Sequence, residues 1–231
     1  MGSIGNNLQE VKRRIASASI SAGRDANKVT LLAVSKTFPA AAVREAHALG
    51  QREFGENYVQ EALDKIDALA DLRPGIEWHL IGPLQSNKTR PVAGAFDWVH
   101  SVDRLKIAER LAEQRPPDMP PLNLCLQVNI SGEASKSGVL PQDTLALALA
   151  VAALPTERVR LRGLMSIPEP ASDPTAQRAP HQALRELLQT LNAQGLALDT
   201  LSMGMSADLE AAIAEGATLV RVGSAIFGSR G

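Results

Sequence analysis

LLAVSKTFPAAAVREAHALG, residues 31–50, forms one complete structural unit. Apolar residues from Leu31 to Val34 run into Ser35 and Lys36, short enough for one buried strand. Pro39 suits a first helical turn, the alanine-rich segment after it suits a helix, and Gly50 suits the helix end. A strand followed at once by a helix is the repeating piece of a parallel sheet, because parallel neighbours need a crossover.

The pattern recurs. REFGEN, residues 52–57, predicts a strand, with Asn57 placed to cap a helix carrying Val59, Ala62, Leu63, Ile66 and Leu69 on one face. EWHLIG (77–82), DWVHSV (97–102), LNLCLQVNI (122–130, the longest), RLRGLMSI (160–167), TLSMG (200–204) and TLVRVG (218–223) predict six more strands. Helices are expected after Ser86, from Asp103 to about Arg115, from about Gln142 to Leu154, from Leu184 to Ala193 and from Ser206. PEPASDPTAQRAP, residues 168–180, reads as a long proline-rich loop, and SAIFGSRG leaves room for one short helical turn. An amphipathic helix from Leu8 to Ile20, closed by Gly23, precedes everything. Eight alternations predict a closed (β/α)8 barrel, one domain over residues 1–231 with an extra N-terminal helix. An open doubly wound sheet is the alternative, weakened because no glycine-rich dinucleotide fingerprint follows the first strand.

With 231 residues, 45% hydrophobic and a formal net charge of −1, the chain suits a soluble protein with an ample core. Near-neutral charge without a basic block argues against nucleic acid or a membrane surface as the main partner. MGSIGNNLQEVKRR lacks the apolar core of a signal peptide, and a cytoplasmic location is expected. The single cysteine, Cys125, sits in an apolar run and reads as core.

In such barrels chemistry gathers at the C-terminal ends of the strands. Those ends read Lys36, Asn57, His79, Ser101, Asn129, Ser166, Ser202 and Arg221. A lysine two positions beyond an inward Val34 would lose hydration, and its neutral amine could attack an aldehyde. Ser202 and Ser206 bracket a turn at Gly204, and Gly223 and Ser224 open a short helix, the place where barrels bind phosphate. Arg221 alternates with Val220 and Val222 and points inward, where a guanidinium needs an acceptor: a carboxylate such as Glu53 or Glu56, or a ligand's ring nitrogen or anion. His79 reads as a satisfied structural group and Lys136 as solvated. A lysine and a phosphate cup in one mouth suggest a phosphorylated aldehyde or ketone held as a Schiff base. Pyridoxal 5′-phosphate (PLP) and the sugar phosphates of class I aldolases both satisfy that description.

AVSKTFP, FGENYVQE, EWHLIGPLQSNK, GLMSIP, LSMGMSADLEAAI and VRVGSAIFG, in that order, closely resemble the motifs of the YggS/PROSC family, the PLP homeostasis proteins. The resemblance implies a barrel like the N-terminal domain of alanine racemase, with PLP as cofactor and Lys36 as its lysine. It further implies Met165 and Met203 near the ring, Ser202, Ser206, Gly223 and Ser224 on the phosphate, and Arg221 facing the pyridine nitrogen, and Asn57, a strand end of the same mouth, is expected to bind the cofactor with them. A cation there disfavours ring protonation and weakens the ring as an electron sink. Racemases of this fold add an all-β domain and supply a catalytic tyrosine across a dimer, whereas here Tyr58 is the sole tyrosine and a poor stand-in. The implied function is a monomeric PLP carrier or buffer serving PLP-dependent apo-enzymes. The alternative is a racemase or decarboxylase whose site a partner completes.

Overall fold

The computed structural model describes residues 3–133 and 136–228. Eight strands, β1 (Thr30–Val34), β2 (Glu53–Glu56), β3 (Glu77–Leu80), β4 (Trp98–Val102), β5 (Leu122–Gln127), β6 (Val159–Met165), β7 (Thr200–Ser202) and β8 (Leu219–Val222), pair in parallel in sequence order. The sheet closes where β1 meets β8, with Leu32 opposite Arg221 and Ala33 opposite Val222. The barrel is thus the predicted (β/α)8 architecture.

Helix α1 (Ile4–Ser21) starts on Ser3, whose hydroxyl accepts the Asn6 N–H, and buries Leu8, Val11 and Ile15. The outer ring continues with α2 (Ala40–Ala48), α3 (Val59–Ala68), α4 (Thr89–Ala95), α5 (Leu105–Gln114), α6 (Thr144–Ala152), α7 (Pro174–Ala193), α8 (Leu209–Ala214) and α9 (Ser224–Phe227). Four residues make α9 too short to cover β8 and β1. Packed on α8, α9 and α2, α1 fills that gap, and the Asn7 amide donates to the Ile226 carbonyl. The extra helix therefore closes the ring.

Alternation divides the side chains into two layers. Leu31, Ala33, Phe54, Val99, Leu124, Val220 and Met203 join the large core between strands and helices. Leu32, Val34, Ile81 and Leu219 form one small cluster inside the barrel, and Trp98, Cys125 and Met165 form another. Cys125 is fully buried, and burial pushes its thiol up to about 12, so it is an inert core residue.

Several boundaries differ from those expected. The first strand ends at Val34 rather than at Lys36. Ser35 keeps one ladder bond to the Gly55 carbonyl before the chain turns away. LNLCLQVNI is not the longest strand, since Asn129 leaves the ladder to organise its own loop. Its amide donates to the Glu133 carbonyl and its Oδ1 accepts the Gly132 N–H. β6, with seven residues, is longer. Half of the expected proline-rich loop is helix: Asp173 caps α7 by accepting the Ala176 N–H, and Pro174 occupies the first turn.

Candidate functional site at the mouth of the barrel

Lys36 is half-buried, in the turn directly after β1. The next residue, Thr37, has φ 68°, a left-handed conformation that β-branched residues rarely adopt. The surroundings hold it there. The Thr37 N–H donates to Glu61 Oε1 at 2.5 Å, and the Ser35 hydroxyl donates to Glu56 Oε1 at 2.6 Å. Lys65 Nζ ties these groups together, donating to the Ser35 carbonyl at 2.8 Å, Glu56 Oε1 at 2.5 Å and Glu61 Oε1 at 3.2 Å. The side chains of Lys65 and Glu56 are 4% and 0% exposed. Burial pushes the Glu56 carboxyl above its ordinary range, against the pull of the Lys65 ammonium and the Ser35 hydroxyl. Lys36 is therefore presented by a turn braced on both sides.

This brace was not foreseen from the sequence, although it left a signal. Lys65 shares a helical face with Ala62, Ile66 and Leu69, where an unpartnered lysine would not be tolerated. The buried lysine of this end of the barrel is Lys65, and Lys36 is the more accessible one.

Arg221 is 4% exposed and bonds to neither Glu53 nor Glu56. Its Nη1 donates to the Ser202 carbonyl at 2.6 Å and the Ser202 hydroxyl at 2.8 Å, and its Nη2 to the Ser166 carbonyl at 2.8 Å. Burial lowers its pKa to about 10, which leaves it a cation at neutral pH. Three of its five N–H donors are used in these bonds, leaving two. Nearby, Asn57 Oδ1 and Ser166 Oγ are buried oxygens without a hydrogen-bond partner. Asn57 thus does not cap α3, which begins after Tyr58 without any side-chain cap. Its backbone is crowded against Gly82, where an added Cβ would lie 2.1 Å from the Asn57 carbonyl. A cavity of about 240 Å³ opens here, lined by Asn57, Ile81, Gly82, Gln127, Lys136 and Ile167 among others. Lys136, expected to be solvated, is exposed and ion-paired to Glu169.

The turn after β7 is built on Asp208, which accepts the Met205 N–H at 2.7 Å and contacts His181 Nε2 at 2.9 Å. Burial alone would raise the Asp208 carboxyl, but these hydrogen bonds outweigh it and hold it below the usual range. Gly204 takes φ 93° there, and a Cβ would come within 2.5 Å of Ala212, so only glycine fits. Arg14 of α1 donates to the Ser206 carbonyl at 3.0 Å. Gly223 packs on the end of β1, where a Cβ would meet the Val34 carbonyl at 3.1 Å. Ser224 is exposed at the uncapped start of α9.

The structure therefore gathers Lys36, Asn57, Ser202, Ser206, Arg221, Gly223 and Ser224 at one end, with Ser166 beside them. Met165 is fully buried inside the barrel beside Trp98 and Cys125. Met203, expected near the ring, lies one step past the inward Ser202, in the helix-facing core. His79 is not a mouth residue either. It lies within the barrel, satisfied by Glu77 and by His100, a residue the sequence reading passed over. Among the described residues no group of three metal-ligating side chains occurs.

The family described as alanine racemase, N-terminal domain, matches residues 4–231. The chain is 65% identical over 230 residues to the pyridoxal phosphate homeostasis protein of Pseudomonas aeruginosa, covering 100% of this chain and 97% of that one. It is 53% identical over 231 residues to the protein of the same name from Escherichia coli K12, covering 100% and 98%. The solved structure of PipY from Synechococcus elongatus, with PLP bound, is similar at a TM-score of 0.84 and 40% identity, covering 98% of this chain and 100% of that one. A mouth with a braced lysine, a buried arginine and two unpartnered oxygens agrees with that kinship, and the chain belongs to the family of pyridoxal phosphate homeostasis proteins, built on the alanine racemase N-terminal barrel.

Proposed function

We propose that this protein binds PLP at the barrel mouth, holds its aldehyde as a Schiff base on Lys36 and acts as a carrier that buffers the cofactor. The observation that carries this is the coincidence, at one strand-end rim, of the braced Lys36 turn with buried polar atoms that lack a protein partner. Buried polar groups are normally paired, so Asn57 Oδ1 and Ser166 Oγ fit a polar ligand. The two remaining Arg221 donors fit a ring nitrogen, and the Ser206 turn with the uncapped start of α9 fits a phosphate. The chemistry the cofactor supplies is a reactive aldehyde on an electron-withdrawing ring. The chain's own part is to aim an amine, to keep a permanent cation at the ring-nitrogen end, and to anchor the phosphate.

The same geometry supports release rather than turnover. A cation at the ring nitrogen opposes its protonation and weakens carbanion chemistry. Tyr58 is 56% exposed, and the two barrel histidines lie beneath the mouth, engaged with Glu77 and Ser202. The protein works as a monomer in the cytoplasm and passes PLP to apo-enzymes. Among the described residues, no helix is long and apolar enough to cross a membrane. Titrating PLP into the cofactor-free protein, with visible absorbance and mass spectrometry as readouts, tests this. One equivalent taken up by the wild type and none held covalently by Lys36→Ala is expected. Unchanged covalent uptake by Lys36→Ala overturns it.

A further inference from the structure

Below the mouth, one unbroken line of hydrogen-bonded side chains runs down the inside of the barrel. Arg221 Nη1 lies 2.8 Å from Ser202 Oγ, which lies 2.8 Å from His100 Nδ1. His100 Nε2 lies 2.9 Å from His79 Nδ1, and His79 Nε2 lies 3.1 Å from Glu77 Oε1. Ser202 and His100 are fully buried, and His79 is 1% exposed. The Glu77 side chain is 47% exposed and borders a cavity of about 410 Å³ at the other end of the barrel, with Glu53, Arg162 and Asp199. A buried cation at the mouth is thereby joined to a carboxylate open to solvent at the far end.

Donor and acceptor chemistry fixes the direction of this line. A guanidinium only donates and an ionised carboxylate only accepts. The hydrogen bond from His79 holds the Glu77 carboxyl below its usual range, so it is ionised at neutral pH. His79 must then carry its proton on Nε2, and its bare Nδ1 accepts from His100 Nε2–H. The bare Nδ1 of His100 accepts the Ser202 hydroxyl proton, and the Ser202 oxygen accepts from Arg221. Each bond has one proton, with both imidazoles neutral. The reverse direction needs an extra proton on a buried imidazole. That proton would sit on His79, 1% exposed, or on His100, fully buried, and burial together with the Arg221 cation opposes a charge at His100.

We infer that Glu77, His79, His100 and Ser202 form a one-way hydrogen-bond relay, with both histidines protonated at Nε2, that fixes the orientation of Arg221. The relay makes Glu77, His79 and His100 positioning residues. Their effect is to commit the Ser202 proton downward, so that Ser202 presents only a lone pair to the guanidinium and the two spare Arg221 donors stay available at the mouth. This rests on the mouth being the ligand site for its consequence, but not for the relay itself.

The test is therefore made on the cofactor-free protein, by long-range ¹⁵N–¹H NMR of its histidines. The chain has four, so His47, His79 and His181 variants assign the signals, His100 by elimination. Nε2-protonated, neutral rings are expected at both His79 and His100. An Nδ1 proton or a charged ring at His100 overturns the relay. In Glu77→Leu, His79 loses its acceptor and His100 should shift toward the Nδ1–H form, two residues away from the substitution along the line. Glu77→Gln keeps an acceptor oxygen and should preserve the wild-type tautomers. An unchanged His100 tautomer in Glu77→Leu overturns the inference, and if that variant fails to fold the wild-type spectrum still decides. PLP titration of the same samples judges the mouth separately.

Discussion

The two ends of this barrel use polar groups in opposite ways. At the lower end, Arg162 lies 4.8 Å above the Trp98 ring and bonds to Asp199 and Asn123, Arg73 bonds to Asp97, and Glu77 bonds to His79. These polar side chains are answered by other side chains, although Trp98 Nε1 beside them is buried without a hydrogen-bond partner among the described residues. At the mouth, Asn57 Oδ1 and Ser166 Oγ have no hydrogen-bond partner among the described residues, and Lys36 sits in a braced backbone turn. The lower cavity, about 410 Å³, is larger than the one of about 240 Å³ beside Asn57. Unpartnered buried oxygens at the strand-end rim, rather than volume, favour the mouth as the proposed ligand end.

The strongest way to break this contrast is to remove the brace. Lys65→Met leaves the buried Glu56 without its cation and frees the Thr37 turn. A loss of about 3–5 kcal/mol in folding stability is expected, measured by chemical denaturation. Glu56→Gln combined with Lys65→Met should recover part of it, because the uncompensated charge is gone. Ser224→Glu addresses the mouth alone, since Ser224 is exposed and carries no core contact. It should weaken PLP binding by about 1.5–3 kcal/mol, tenfold or more, while leaving pyridoxal binding nearly unchanged. Equal weakening of both would place the anion elsewhere. Thr37→Gly relieves the left-handed backbone but adds unfolded-state freedom. Stability should stay within about 1 kcal/mol of the wild type, while PLP affinity falls because the turn is looser.

The smallest effect belongs to the lower end. The folded pKa of Glu77 is depressed, so its contribution to stability is present above the unfolded carboxylate pKa and is lost as pH falls through the folded value. Glu77→Gln should therefore flatten the acid limb of the stability curve, by less than about 1 kcal/mol because the side chain is half exposed. Denaturation midpoints followed into the acid range would show it, and an unchanged limb would remove Glu77 from the ionised set.

Much of this was legible in the sequence because strand and helix periods alternate cleanly. Leu31 to Val34 and the alanine-rich segment after Pro39 declare their structures locally, and the eightfold repetition dictates closure. The mouth residues were legible for the same reason, since strand ends converge in such a barrel. What alternation could not show was partnership. Lys65 looked like one more charge on a helix, and only the fold sets it beneath Ser35, thirty positions earlier. His79 and His100 are twenty-one positions apart and meet because β3 and β4 are neighbours. The core position of Met203 was not legible either, because a motif names a residue without saying which face it takes.

The central claim is that Lys36 is the point of attachment. Reducing the PLP-loaded protein with borohydride and mapping the modified peptide by mass spectrometry tests it most directly. The account predicts one pyridoxyl group per chain, on Lys36, with none on Lys65 or Lys136 at one equivalent of PLP. A pyridoxyl group found chiefly on another lysine would contradict it.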